Sequence, residues 1–157
     1  MKHLYLFCFL LSTWSISAND IKIGTGFIIH NDQRAQTIDV QFTHPDLGIQ
    51  QAFTLWMAAT YDYRLDGGKI IEFNRNTYSA IGCVVPQISD QLLDLHLLVE
   101  KNGDRYHLRF YASYGFDSFI TRERNPLAFR HLYAKFRNFV NEYINYYPQD
   151  ISDSGVF

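Results

Sequence analysis

Leu92-Leu93-Asp94-Leu95-His96-Leu97-Leu98-Val99-Glu100-Lys101-Asn102-Gly103-Asp104-Arg105-Tyr106-His107-Leu108-Arg109-Phe110-Tyr111-Ala112 decides the fold. Two runs of alternating apolar and polar residues flank Asn102-Gly103, a strong short hairpin signal. A two-residue turn at Asn102-Gly103 puts Lys101 opposite Asp104. The register then pairs Glu100 with Arg105, Leu98 with His107, His96 with Arg109, and Asp94 with Tyr111 on one face. On the other face, Leu93, Leu95, Leu97 and Val99 meet Ala112, Phe110, Leu108 and Tyr106. One side of this hairpin is core, and the other carries histidines, arginines and acids.

Upstream, Lys69–Phe73 and Tyr78–Val85 predict a second hairpin across Asn74 to Thr77, and Pro86 closes it. Ile21–His30 and Gln36–Phe42 predict two earlier strands around an Asn31-Asp32 turn, the second with Ile38, Val40 and Phe42 on one side. Between the strand pairs, Thr43-His44-Pro45-Asp46 is a helix entry. The helix carries Ile49, Phe53, Trp56, Met57 and Thr60 on one stripe and ends before Asp66-Gly67-Gly68. A last helix starts at Asn125-Pro126, with Asn125 as its cap. It aligns Phe129, Leu132, Tyr133, Phe136, Val140, Tyr143 and Ile144, while Arg130, Lys135, Arg137, Asn138 and Glu142 face away. The order predicts an α+β domain, a curved antiparallel sheet with two helices packed on one face. The opposite sheet face is expected to lack helical cover.

The N-terminus reads as a signal peptide over 1–18. Lys2 and His3 precede the apolar run Leu4–Leu11, and small residues lead to a cut after Ala18 or, equally, after Ser17. That run is too short to cross a bilayer, which takes ~20 residues, so no stable membrane anchor is expected after processing. Cys8 leaves with the leader. The expected location is the periplasm or the medium, with residues 19–147 as a single domain and 148–157 as a loose polar tail.

With 14 basic and 16 acidic residues, the chain lacks the clustered positive surface of a nucleic-acid binder. Cys83 alone remains after processing, so an internal disulfide is excluded. It sits in an apolar strand and is expected to be a buried thiol rather than a nucleophile.

Ala52–Met57, Lys69–Phe73, Ser79–Gly82 and Glu100–Tyr106, in this order, resemble a bacterial domain-of-unknown-function family with a TATA-binding-protein-like fold. The resemblance covers roughly 90 to 110 residues and implies that fold. It carries no catalytic residues over. The chain departs from the family in its extra N-terminal strand and in the irregular stretch Ser113–Arg124.

His96, His107, Arg105, Arg109 and Tyr111 are the candidate ligand- or partner-binding residues. They share the polar sheet face, with the two histidines diagonal neighbours roughly 7–8 Å apart at the backbone. An anion or metal site competes there with a solvated ladder of charges. The arginines beside the imidazoles oppose a bound cation, and no cysteine or carboxylate completes a ligand set with the right spacing. No catalytic residue, metal or cofactor is assigned. His44 is read as part of the helix entry, and Gly67-Gly68-Lys69, which precedes a strand, as a turn rather than a phosphate loop. Tyrosines at 111, 114, 143, 146 and 147 and Phe116 form an aromatic excess suited to a contact surface.

The function expected is non-catalytic binding of an exported protein to an unidentified ligand, with another protein as the candidate partner and no nucleic acid. The surfaces expected to act are the uncovered sheet face and the 113–124 loop. Alternatives are a small periplasmic inhibitor or immunity protein, and a hydrolase using His96 or His107.

Overall fold

The computed structural model describes residues 21–44, 48–61, 70–73, 76–115 and 118–144. The leader, Pro45-Asp46, the Asp66–Lys69 turn, Phe116, Tyr146, Tyr147 and the 148–157 tail lie outside these residues. The elements are β1 (Lys22–His30), β2 (Gln33–Thr43), α1 (Ile49–Tyr61), β3 (Ile70–Phe73), β4 (Thr77–Val85), β5 (Ser89–Asn102), β6 (Arg105–Ser113) and α2 (Pro126–Phe139). A π-helical turn, Val140–Ile144, extends α2.

All six strands join one antiparallel sheet in the order β1-β2-β6-β5-β4-β3. Asn31 and Asp32 both adopt positive φ, 48° and 60°, the backbone of a type I′ turn, whose twist matches the two strands it joins. Gly82 takes φ 70° where the β4–β5 register shifts between Ala80 and Cys83. Its N–H donates to Asp94 Oδ1 at 3.0 Å, which pins the bulge.

Both helices lie on one sheet face, as the patterning requires. A single core holds Ile38 and Val40 of β2, Leu93, Leu95 and Leu97 of β5, Leu108 and Phe110 of β6, and the buried stripes of α1 and α2. Phe110 is its hub. The ring lies 5.6 Å from Trp56, 6.4 Å from Phe53 and 4.8 Å, stacked, from Phe136. Phe139 joins this lattice 5.0 Å from Trp56. Tyr61 is buried one position beyond Thr60, which is half-exposed. The fold is therefore an α+β arrangement of one antiparallel sheet under two helices. Cys83 is fully buried in the same core.

Two local expectations are corrected. The β5–β6 turn is Gly103-Asp104, not Asn102-Gly103: Asn102 pairs with Arg105, Glu100 with His107, Leu98 with Arg109, and His96 with Tyr111. Gly103 carries φ 62° while Asp104 does not enter the positive region, and a glycine at the first central position is what a type II′ turn needs. The slide keeps every residue on its expected face but changes its partner.

Asn125 stands before α2, yet its side chain makes no capping bond. The segment is held instead by the Arg124 N–H, which donates to Thr121 Oγ1 at 3.1 Å. The described part of 113–124 is irregular, as expected, and is anchored to β6. Phe119 bridges Ser113, the Ile120 N–H donates to the Ala112 carbonyl at 2.9 Å, and both side chains are buried. Regular β2–β6 pairing ends at Ile38 and Phe110, and Phe119–Ile120 takes over beside β6. The far sheet face carries no helix among the described residues, as expected, but it has apolar cover of another kind. Phe119, Ala35 and Tyr111 form a second small core there, flanked by Ile28 and Leu98.

Candidate functional site

The far sheet face divides the five expected site residues into three environments. Arg105 stands exposed beside the hairpin turn, opposite Asn102. His107 and Arg109 sit mid-sheet in a charged network with Asp39 of β2 and Glu100 of β5. His107 Nε2 lies 3.5 Å from Asp39 Oδ2, and Nδ1 lies 3.2 Å from Glu100 Oε2. Arg109 Nη2 reaches the same Glu100 oxygen at 3.4 Å and His107 Nδ1 at 3.3 Å. Arg109 Nε–H donates to His107 Nε2 at 3.4 Å. Among the described residues no three His, Cys, Asp or Glu side chains are grouped to hold one.

His96 and Tyr111 belong to a different setting. Both are buried, with their rings stacked at 4.8 Å, so the expectation that His96 joins a solvated charge ladder is corrected. His96 Nδ1 lies 2.7 Å from Ser79 Oγ. His30, at the end of β1, curls over them, with its ring 5.5 Å from His96 and its Nδ1 3.0 Å from the Tyr111 hydroxyl. Phe119 closes the cluster edge-on to His30 at 5.5 Å. Burial pushes the Tyr111 hydroxyl up to about 12, so it stays a neutral hydrogen-bonding group. Ser79 and His96 have the spacing of a nucleophile and its base. Ser79 is 0% exposed, however, and a substrate carbonyl could reach it only by opening the sheet.

A second site lies where the sequence marked only the 113–124 stretch. The β1–β2 arm overhangs the segment leading into α2, and between them is a groove of about 660 Å³. Arg34 and Gln36 of β2 line one wall, Arg122, Glu123 and Arg124 the other, with Phe27 and Phe119 as apolar surface, so the lining carries three arginines against one acid. The Gln36 amide oxygen accepts the Arg122 N–H at 2.6 Å and holds the walls together. Arg34 lies flat on the Phe27 ring, Cζ 3.6 Å from the centroid, which orients its guanidinium and leaves its edge N–H donors available. No acid among the described residues pairs with Arg34, Arg122 or Arg124. Arg122 also lines an adjoining groove of about 530 Å³, between Gly24-Thr25 of β1 and Leu127, Arg130 and Tyr133 of α2. In the sequence, Arg122-Glu123-Arg124 was the only local signal of this site. Arg34 joins it through tertiary structure alone.

No family model matches the chain, and no curated protein matches it in sequence. Among solved structures, CalU16 from Micromonospora echinospora is similar at 11% identity and a TM-score of 0.40. The match covers 78% of this chain and 80% of that one. Likeness at that level carries no argument about function.

Proposed function

We propose that the protein is a non-catalytic, exported binding protein that takes an acidic protein partner into the groove between the β1–β2 arm and the 119–124 segment. One observation carries the reading. Arg34, Arg122 and Arg124 line one groove with Phe27 and Phe119, where Glu123 is the single acid of the described lining, in a chain of net charge −2. Arginine and aromatic side chains together are what binding hot spots are made of. Positive charge so placed draws carboxylates and orients them by forked hydrogen bonds. The His107–Arg109 face is the weaker surface, because Asp39 and Glu100 already balance its charge. An inhibitor or immunity protein would be one form of such a binder. The exported address rests on residues 1–18, and membership of the family resembled in sequence is part of the same proposal.

The test is cross-linking capture from periplasmic extract of the native host. Wild type and the Arg109→Ala variant should retain the same partner, and the combined Arg34→Glu, Arg122→Glu, Arg124→Glu variant should lose it. Equal capture by the charge-reversed protein would refute the reading.

A further inference from the structure

We propose that the acidic partner binds as an added β-strand along β1, with its side chains reaching into the arginine grooves. This rests on the reading of the groove above and supplies its geometry. β1 is the outermost strand on its side of the sheet, nine residues long and free of proline. The type I′ turn at Asn31-Asp32 makes His30 and Gln33 a hydrogen-bonded pair. In an antiparallel ladder such pairs alternate, so Ile28, Gly26 and Gly24 also spend their backbone groups on β2. The N–H and C=O of Ile23, Thr25, Phe27 and Ile29 consequently point to the open side, a template for another strand. Natural sheets blunt such an edge with proline, bulges or a covering segment. None of these protects β1 among the described residues, and a side chain at Gly24 would meet nothing within 4 Å.

The surroundings of the edge select the occupant. On the helix side, Leu127 is 70% exposed at the start of α2, beside Tyr133. Phe27 and Ile29 of β1 are 52% and 70% exposed. Arg122 and Arg130 line the groove with Leu127, and Arg34 and Arg124 face each other across the adjoining groove, where they outnumber Glu123. A strand laid on β1 would place alternate side chains over this strip. Apolar residues would cover Leu127 and Tyr133, and carboxylates would meet the arginines. Backbone pairing supplies affinity and the flanking pockets supply choice, the usual division in strand addition. A second copy paired through β1 would set the same arginines against each other, so self-association is the poorer match.

The probe is an N-acetylated decapeptide alternating valine with glutamate, followed by fluorescence anisotropy and by amide exchange on the wild-type protein. The peptide should bind with an affinity that falls as salt rises, and the valine–lysine version should bind at least about tenfold more weakly. The amides of Ile23, Thr25, Phe27 and Ile29 should slow by about tenfold or more on saturation, while those of Gly24 and Gly26, already in the ladder, change little. N-methylation at alternate peptide residues, made in both phases, should abolish binding in one phase only, because one set of peptide N–H groups faces β1. If the peptide binds and Arg122→Glu with Arg130→Glu abolishes binding, but the four edge amides stay unprotected, strand addition is wrong and the groove reading survives. If charge reversal leaves binding intact, the groove reading fails too. Absence of binding at millimolar peptide, or a dimer held through β1, overturns the proposal.

Discussion

Ser79 Oγ and His96 Nδ1 face each other at 2.7 Å across the β4–β5 ladder, directly paired in register, and both side chains are buried. The pair resembles catalytic machinery in its spacing and a packed polar core in its environment. Burial decides between them. Removing either partner leaves a polar group in a dry setting, at a cost of about 1–3 kcal/mol.

Ser79→Ala and His96→Ala should therefore each lower stability measurably. The double variant Ser79→Ala, His96→Ala should cost less than the sum of the singles, with a coupling of about 0.5–3 kcal/mol. His107→Ala and Arg109→Ala, whose side chains are only partly buried, should each cost no more than about 1 kcal/mol. Urea unfolding of the set checks this, and additive single effects would show that the Ser79–His96 pair does not act as a unit.

Trp56 touches Phe53, Phe110, Phe136 and Phe139 and is 2% exposed. Trp56→Ala empties the junction between both helices and the sheet, and should cost about 3–5 kcal/mol. A smaller loss in chemical denaturation would mean that the two helices close up over the gap.

The β5–β6 turn separates two neighbouring residues. Gly103→Ala forces a Cβ into positive φ and should destabilise by about 1–2 kcal/mol. Asn102→Ala should fall within about 0.5 kcal/mol of wild type, since Asn102 has an ordinary strand backbone. Equal costs at the two positions would contradict the Gly103-Asp104 turn.

His131 is held below the ordinary histidine value, first by burial and then by the charge of Lys135. A histidine whose folded value is depressed favours the native state while neutral. Its contribution is complete above about pH 6.5 and is lost as acidification carries the pH through that value and then through the folded one. The urea midpoint should fall between about pH 7.5 and pH 5, and His131→Phe should flatten part of that fall. An unchanged slope in the variant would assign the acid sensitivity elsewhere.

Export has a direct readout. Intact mass of protein recovered from the native host should match a chain beginning near Asn19 without lipid. Retention of residues 1–18, or lipid on Cys8, would refute the leader reading.

Much of the fold was legible because strand and helix periods are local. Alternation placed Leu93, Leu95 and Leu97 inside and His96, His107 and Arg109 on the far face, whichever residues formed the turn. A slide of two residues preserves every face and alters every pair, so periodicity could not distinguish His96 beside Arg109 from His96 beside Tyr111. The candidate site was half legible. Arg122 and Arg124 belong to a stretch whose irregular composition stood out, whereas Arg34 occupies a strand position with no pattern of its own.

The sequence by itself determined the element order, the buried stripe of each helix and the polarity of each sheet face. These follow from which side chains water rejects, and short windows of residues carry that information. Tertiary structure alone decided that Phe119 and Ile120 take over from β2 beside β6, that His30 covers His96 and Phe119 packs on His30, and that Arg34 meets Arg122 across a groove. Each of these joins residues far apart in the chain. Such contacts depend on where a regular ladder stops, which is set by packing of the whole sheet rather than by any one segment.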